Sequence, residues 1–372
     1  EESKRFVGEM LALDLDPAGR AFAPSQVFWV PRGLIYGIAP FNFPLNLVAH
    51  KVAPALASGH AILIKASPQA PGGAALLAEI FEKAASSVGD AREQVPTATF
   101  QVVNCSNEVA ERGLKDPRVA TVSFTGSARV GWHVQGLAIG KKVALELGGN
   151  AAVIVHEDAD VERAATRCAA GGFGYAGQTC ISVQRIFVHE RVAAQFEERL
   201  VAEVKKLVVG DPARPDVQVG PVIDKGAADR IAGWVSEAIS AGARELVGGM
   251  RQGNVLAPAV ISGVNPKLPL NAEEVFGPVV TVDRYSKFED ALALVNASKY
   301  GLQAGVFTSS ARLQALAVRD LEVGGVLLNE IPTFRADQLP YGGVKESGLG
   351  REGLRAAMEE YSERKTVMQW IG

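Results

Sequence analysis

Residues 119–149 read VATVSFTGSARVGWHVQGLAIGKKVALELGG, and this stretch predicts a β-α-β unit. The run Val119–Phe124 is rich in β-formers and is expected to be a buried strand. A Gly-Ser turn follows, then an amphipathic helix from Arg129 to about Ile139 and a second strand at Val143–Leu147. Strands joined through a helix pair in parallel, so the stretch predicts a helix-covered parallel sheet.

The same alternation continues on both sides of this unit. Upstream it predicts strands at Gly33–Ile38, Ala61–Lys65 and Phe100–Val103, with helices at Leu45–Leu56 and Ala74–Ala85. Downstream it predicts strands at Ala151–Val155, Gln184–Val188, Val255–Ile261, Val279–Asp283 and Gly325–Leu328, separated by helices near Val161–Ala170, Val192–Leu207, Gly226–Ala241, Phe288–Ala297 and Leu313–Leu321. The pattern indicates an α/β fold with two sheets.

The two ends of the chain have a different pattern. Leu11–Pro31 predicts a hairpin that turns at Asp16-Pro17-Ala18-Gly19, in which Gln26–Val30 alternates like an exposed strand. Tyr361–Trp370 mixes charges with β-formers and predicts an edge strand.

Bulk composition restricts the function. The 372 residues are enough for two domains, and the 48% hydrophobic and 21% charged fractions are ordinary for a globular protein. The net charge of −3 gives no basic surface for nucleic acid or membrane. Three scattered cysteines predict a reducing, cytoplasmic location rather than a disulfide framework, and neither cysteines nor histidines show a metal-site spacing.

Cys180 is the candidate nucleophile. It follows a Gly177-Gln178-Thr179 turn, where a thiol can be presented to a substrate, and a thiolate is nucleophilic at neutral pH. The alternative is a buried structural cysteine, which is what most cysteines outside disulfides are. We apply that alternative to Cys105 and Cys168.

Glu146 and Asn42 are candidates for the supporting roles. Glu146 ends a predicted strand just before Gly148-Gly149, at the sheet edge where α/β proteins bind ligands, and partial burial would suit it to general-base work. Asn42, within Pro40-Phe41-Asn42-Phe43-Pro44, could donate its amide to an oxyanion. Taken singly, each could instead be an ordinary strand-end or turn residue.

A cofactor site is suggested by the Phe124-Thr125-Gly126-Ser127 turn that opens a helix. Glycine allows a pyrophosphate to approach the helix N-terminus closely, although one Gly-Ser turn is weak evidence. Lys65, at the end of another predicted strand, could reach a ribose or a phosphate, or it could be a solvated lysine.

Together these stretches resemble the NAD(P)-dependent aldehyde dehydrogenase superfamily across essentially the whole chain. The matching motifs occur in order: PFNFP at 40–44, Lys65 after a strand, FTGS at 124–127, ELGG at 146–149, GQTC at 177–180, EVFGPV at 274–279 and YGGVKESGLGREG at 341–353. Seven ordered motifs make the resemblance specific.

The resemblance implies oxidation of an aldehyde to its acid through a cysteine thioester. Cys180 would attack the carbonyl, Asn42 and the Cys180 backbone N–H would hold the oxyanion, and Glu146 would activate the hydrolytic water. NAD or NADP would take the hydride, held by residues of four segments: Lys65, Ser67, Phe124, Gly126, Ser127, Leu147, Glu274 and Phe276.

The family resemblance also implies three parts. These are an oligomerisation arm (13–31 plus 361–370), a Rossmann-like cofactor domain (32–147) and a catalytic domain (148–350), assembled into a homodimer or homotetramer. Family members have a longer N-terminal part, so we expect either a fragment or a natural short form. Many NAD-preferring members have an acid where this chain has Pro68, which leaves the choice between NAD and NADP open.

The substrate is expected to be a small polar or anionic aldehyde. The stretch 331–337 resembles the branch that acts on lactaldehyde, glyceraldehyde 3-phosphate and phosphonoacetaldehyde, and its Arg335 is a candidate substrate contact. His50 falls where the family lines its substrate tunnel, and Thr179 is a further candidate substrate contact. Arg335 could equally be an exposed loop arginine.

Three other functions are weighed. A CoA-acylating dehydrogenase is disfavoured because hydrolysis needs the base that Glu146 supplies. A catalytically silent truncated member is disfavoured because Asn42, Glu146, Cys180 and Glu274 are all present. A cysteine hydrolase of activated esters could use the same thiolate without a cofactor.

Overall fold

The structure is a computed structural model that describes residues 2–87, 95–96, 98–248 and 250–371. The chain forms two compact units. The first unit comprises residues 1–146, 336–341 and 349–372, and the second comprises 147–335 and 342–348. Strand Gly348–Leu349 spans the point where the chain returns from the second unit to the first.

The first unit is built on parallel strands, as the β-α-β pattern predicts. Their spatial order is Lys142–Glu146, Val119–Thr125, Leu34–Ile38, Ile62–Lys65 and Phe100–Val103. The helices of this unit are Asn46–Ala57, Gly72–Ser87, Asn107–Lys115, Ala128–Leu137 and Leu354–Tyr361. Ile35, Val52 and Ile64 are nearly inaccessible to solvent and lie at the centre of its core.

The terminal segments of the first unit form an antiparallel sheet of three strands, in the order Glu9–Leu11, Ser25–Pro31 and Ser362–Val367. Two predictions need correction here. The expected turn is a 3₁₀ helix, Pro17–Ala21, capped by Asp16, whose Oδ1 accepts a hydrogen bond of 2.8 Å from Ala18 N–H. Ser25–Pro31 is the central strand rather than an exposed one, because it pairs on both edges and buries Ser25 and Val27.

The second unit contains a sheet of seven strands. Their order is Arg244–Val247, Ala259–Ser262, Val279–Tyr285, Arg185–His189, Ala152–Val155, Gln303–Phe307 and Gly325–Leu328, and only the first pairing is antiparallel. Its helices are Val161–Phe173, Ala193–Val204, Lys225–Ser240, Pro269–Ala272, Phe288–Asn296 and Ala311–Asp320, with a 3₁₀ turn at Gly174–Gly177. Two short pairs, Arg251–Gln252 with Val255–Leu256 and Tyr300–Gly301 with Val344–Lys345, complete it.

One predicted strand of this unit is wrong, and two strands of the seven-stranded sheet, Arg244–Val247 and Gln303–Phe307, are missed. Val255–Ile261 is in fact two strands, Val255–Leu256 and Ala259–Ser262, because Pro258 between them has no N–H to donate. Gln303–Phe307 is an additional strand in a run that contains Gly305. A Cβ on Gly305 would lie 2.4 Å from the carbonyl oxygen of Glu330. The close packing therefore requires glycine, and because glycine has little preference for strands, local β-preference does not indicate this strand.

The fold class expected from the sequence is confirmed: the chain is mixed α/β with parallel sheets. Within the described part of the chain, no helix combines the length and hydrophobicity that crossing a bilayer needs. Nor do the described side chains include three metal-binding groups arranged around one point.

Candidate active site

Glu146 is the last residue of its strand and is buried, with 6% of its surface exposed. Its backbone oxygen accepts a hydrogen bond of 3.0 Å from Gly126 N–H, so the Gly-Ser turn and the candidate base lie side by side at the carboxyl edge of the sheet. The neighbouring strand places Thr125 opposite Glu146. The Gly-Ser turn and the segment that begins at Glu146, which are separate motifs in the sequence, are therefore adjacent in the fold.

The Gly-Ser turn leads into helix Ala128–Leu137. Ser127 occupies the N-cap position, but its side chain makes no capping hydrogen bond, and the residue is exposed. A Cβ on Gly126 would lie 2.6 Å from the buried Phe124 ring, which explains the need for glycine. A helix N-terminus that its own side chain does not cap is a suitable site for a phosphate.

Lys65 ends its strand and is 4% exposed. Its Nζ donates to Oδ1 of Asn107 over 3.3 Å, and burial lowers the pKa of the ammonium while the nearby Cys105 acts to raise it. Ser67 is also buried, and its Oγ donates to Oε1 of Gln69 over 2.8 Å. Both predicted cofactor residues are thus held in place by neighbours.

Asn42 lies four residues beyond strand Leu34–Ile38 and is 5% exposed. It precedes helix Asn46–Ala57, whose first turn includes a hydrogen bond of 2.9 Å from Leu47 N–H to Phe43 O. The amide therefore sits in a compact connection at the carboxyl end of a strand, in the same unit as Glu146.

In the second unit, Cys180 follows an unusual backbone segment. Tyr175, Ala176 and Gly177 are all in the left-handed region, with φ of 56°, 53° and 69°. Left-handed residues other than glycine cost free energy and persist only where the surroundings enforce them, often at functional sites. Cys180 itself is half-buried.

Gln178 holds this segment in place, a role that no local sequence pattern indicates. The residue is buried, its Oε1 accepts a hydrogen bond of 2.8 Å from Ile223 N–H, and its Nε2 donates to Pro221 O over 3.3 Å. A glutamine two residues before a cysteine carries no local signal for bonds to residues more than forty positions away.

Glu274 lies beside the Gly148-Gly149 pair. Its Oε1 accepts a hydrogen bond of 3.1 Å from Gly149 N–H, and a Cβ on Gly148 would lie 2.2 Å from its Oε2. Burial raises the pKa of the Glu274 carboxyl to about 7, against the opposing effects of the Gly149 N–H and the Arg230 charge. The glycine pair therefore makes room for a carboxyl group whose pKa is well above its ordinary value.

Gln184 anchors the segment that carries Glu274. Its Nε2 donates to Glu273 O over 2.7 Å, and its Oε1 accepts from Val275 N–H over 2.9 Å. These two bonds fix the backbone on either side of Glu274. No local pattern indicates this role either, because a buried glutamine beside a strand is not a motif.

A small cleft in the second unit collects several of the predicted residues. Gly149, Thr179, Glu274 and Phe276 all line it. Thr179 Oγ1 is buried there and has no hydrogen-bond partner among the described residues, while Phe276 has a left-handed φ of 48°. Leu147 is 1% exposed, and its N–H donates to Ser347 O over 3.0 Å.

The predicted substrate residues His50 and Arg335 lie in different units. His50 Nδ1 is 2.6 Å from Oε1 of Glu352, and its Nε2 is 3.5 Å from Oδ1 of Asp337. Arg335 is half-buried. Of the other two cysteines, Cys168 is completely buried, which raises the pKa of its thiol, and Cys105 is half-buried.

Comparison with known proteins decides the family. The family model described as "Aldehyde dehydrogenase family" matches residues 8–367. The chain belongs to the aldehyde dehydrogenase family. This confirms the resemblance drawn from the seven motifs and the expectation of an NAD(P)-dependent oxidoreductase that acts on aldehydes.

Similar aldehyde dehydrogenases include a 3-sulfolactaldehyde dehydrogenase of Priestia aryabhattai, 40% identical over 99% of this chain and 75% of that protein. Among solved structures, aldehyde dehydrogenase 21 of Physcomitrella patens in complex with the reaction product succinate has a TM-score of 0.94 and 40% identity, covering 100% of this chain and 75% of that one. The glyceraldehyde-3-phosphate dehydrogenase GapN of Methanocaldococcus jannaschii, complexed with NADP, has a TM-score of 0.93 and 37% identity. That match covers 99% of this chain and 78% of that one.

Proposed function

We propose that this aldehyde dehydrogenase oxidises a small anionic aldehyde to its carboxylic acid, with Cys180 as nucleophile. The observation that carries the proposal is the backbone before Cys180. Three consecutive residues are left-handed there, held by Gln178 and by contact with Gly277. Two of them are not glycine, so keeping this conformation costs conformational free energy. Such a cost is consistent with a thiol that must be positioned rather than one that merely fills space.

In this mechanism the Cys180 thiolate adds to the aldehyde carbon and forms a hemithioacetal. The Asn42 amide and the Cys180 N–H donate to the oxyanion, a contribution typically worth about 3–4 kcal/mol per donor. Loss of hydride leaves a thioester. Glu146 then takes a proton from water, which attacks the thioester and releases the acid and the thiol.

The residues present fit a nicotinamide dinucleotide. Helix Ala128–Leu137 offers an N-terminus that the Ser127 side chain does not cap, and Lys65 is a buried cation at the end of a strand in the same sheet. Glu274 would accept hydrogen bonds from the hydroxyl groups of a ribose, and Phe276 lines the same cleft. Leu147 precedes the glycine pair that contacts Glu274. When bound, the cofactor supplies the hydride acceptor.

The substrates and products named for similar proteins support an anionic substrate. Two similar proteins are named for 3-sulfolactaldehyde and glyceraldehyde 3-phosphate, and a third was solved with succinate, and all three compounds carry an anionic group. Other relatives are named for lactaldehyde, which is polar and uncharged. Arg335 is a half-buried guanidinium suited to such a group, with Thr179 and His50 as further candidate contacts.

The experiment is a panel of aldehydes tested with NAD and with NADP. We expect kcat/KM for succinic semialdehyde or glyceraldehyde 3-phosphate to exceed that for hexanal by at least about tenfold, and Arg335→Gln to remove most of the difference. Arg319→Gln, which changes an exposed arginine of the same unit, is the control. A preference for hexanal would contradict the anionic class.

We further propose a homodimer or homotetramer assembled through the three-stranded terminal sheet. The support is apolar surface on that sheet and its flanks, where Met10, Phe28 and Trp370 are 69%, 44% and 69% exposed. Exposed apolar clusters mark association surfaces. Light scattering on the wild type and on Phe28→Lys tests this, since a monomeric wild type would contradict it.

A further inference from the structure

The second unit has another cleft, which shares no lining residue with the cleft at Thr179. Its volume is about 580 Å³, within the range of roughly 300–1,000 Å³ that is typical of small-molecule sites. Arg185 and Phe187 of one strand and Asp283 of the next form its bed, because alternate residues of a strand point to the same face of a sheet. The cleft therefore lies on one face of the seven-stranded sheet.

Arg185 is a buried cation in this bed. Its Nε donates to Asn150 O over 3.1 Å, its Nη1 to Leu294 O over 3.1 Å and its Nη2 to Val295 O over 3.4 Å. Within the described part of the chain, no carboxylate oxygen lies within 4.0 Å of its nitrogens. Burial lowers the pKa of the guanidinium to about 10, against the opposing effect of the Asp283 charge. Since a guanidinium has five N–H groups, one on each Nη is left to pair with an anion in the cleft.

Asp283 supplies a hydrogen-bond acceptor on the same bed. Burial raises the pKa of its carboxyl, while hydrogen bonds from the Asn271 side chain and from Gly263 N–H act to lower it. The charges of Asp283 and Arg185 interact, although these two described side chains form no ion pair with each other. A ligand between them meets a cation on one side and an acceptor on the other.

The remaining surface of the cleft is largely apolar. Val264, Pro266 and Leu294 line it, together with the Phe187 ring. Apolar surface is stabilised by contact with an apolar ligand group, which a wholly polar ligand does not offer. The cleft therefore calls for a ligand with an anionic group, a hydrogen-bond donor and an apolar body.

We propose that this cleft binds a 2-hydroxycarboxylate with an apolar side chain. The carboxylate pairs with the two remaining N–H groups of Arg185, which form a fork that matches its two oxygens. The hydroxyl group donates to Asp283, and the apolar side chain packs along Phe187. This site is separate from the one proposed for the aldehyde, and it does not depend on which aldehyde is oxidised.

Titration calorimetry with mandelate, on the protein without cofactor, tests this site. We expect a Kd on the order of 1 mM for a ligand of this size. Three matched compounds each lack one part of mandelate: phenylacetate lacks the hydroxyl group, lactate lacks the ring and mandelamide lacks the charge. Each should bind at least about tenfold more weakly, because each leaves one part of the cleft without its partner.

Four variants locate the bound mandelate. Ala297→Trp places an indole at an exposed position that lines the cleft and should weaken binding at least about tenfold. Ala293→Trp, at an exposed position of the preceding helix outside the cleft, is the matched control and should bind as wild type. Asp283→Ala should remove the preference for mandelate over phenylacetate. Arg185→Lys keeps the charge but loses the fork, so it should weaken the binding of both compounds.

Any of four results would overturn this site. The first is no binding of mandelate to the wild type up to about 10 mM, and the second is an equal Kd for wild type and Ala297→Trp. The third is a preference for mandelate that persists in Asp283→Ala. The fourth is binding that Arg335→Gln abolishes and Ala297→Trp leaves intact, which would place mandelate at the proposed aldehyde site. None of these measurements needs turnover, so a wild type that oxidises no aldehyde would contradict the proposed function alone.

Discussion

Gly177 packs against Gly277 so closely that a Cβ on Gly177 would lie 2.1 Å from the carbonyl oxygen of Gly277. The segment before Cys180 and the segment after Glu274 are therefore in direct backbone contact within the second unit. Both segments carry strained residues, since Ala176 and Phe276 have φ of 53° and 48°. The position of the thiol depends on this contact as much as on its own sequence.

Gly177→Ala should destabilise the protein by at least about 2 kcal/mol, because the methyl group meets a backbone oxygen and φ is 69°. Aldehyde oxidation should fall with it as Cys180 shifts. Denaturant unfolding and kcat measure the two effects. Gly174→Ala is the matched control, since its φ is −53° and nothing lies within 4 Å of the added Cβ. Equal effects of the two substitutions would show that the contact is unimportant.

The contribution of Glu274 to the stability of the cofactor-free protein should fall as the pH rises from about 4.5 to about 7. Burial raises the pKa of Glu274 from 4.5 to about 7, so in this range the folded state keeps a proton that the unfolded state has lost. Glu274→Gln should therefore raise the Tm relative to wild type more at about pH 8 than at about pH 5. Glu273→Gln, the exposed partner of Lys299, serves as control. A Tm difference independent of pH would argue against a buried, titrating Glu274.

His60 should give the opposite dependence in the acid range. Burial lowers the pKa of this imidazole below 6.5, and its Nε2 accepts a hydrogen bond of 3.1 Å from Arg32 N–H. The unfolded state binds the proton first, so stability is complete above pH 6.5 and is lost as the pH falls below it. In Tm measurements, His60→Asn should flatten that loss, whereas His133→Asn on the surface should not. If the Tm of the wild type and the Tm of His60→Asn fell equally as the pH decreased, His60 would not be the cause of the loss of stability.

Glu146→Gln should slow acid release more than hydride transfer. The amide keeps the shape of the side chain but cannot take a proton from water, so the thioester should accumulate. Rapid mixing should then show a burst of reduced cofactor followed by slow turnover. Cys180→Ala should show neither phase while still binding cofactor, and Glu79→Gln, on the exposed surface of helix Gly72–Ser87, should behave as wild type. Equal loss of burst and turnover would contradict the role of Glu146 as base.

The sequence by itself determined the parallel α/β fold, the family and the chemical candidates. Strands such as Phe100–Val103 and Gly325–Leu328 are located correctly because their runs of β-branched and large apolar residues give a local preference for strand. Glu146 and Lys65 were correctly placed at strand ends, because the following glycine pair and the change of polarity are local signals.

Only the tertiary structure decided how these candidates are supported. The bonds of Gln178 to Ile223 and of Gln184 to Val275 join residues 45 and 91 positions apart. The same holds for His50, whose ring lies between Glu352 and Asp337, and for the strand at Gly305, where a distant carbonyl leaves no room for a side chain. Local periodicity records which face of an element is buried. It does not record which distant backbone group that face will meet.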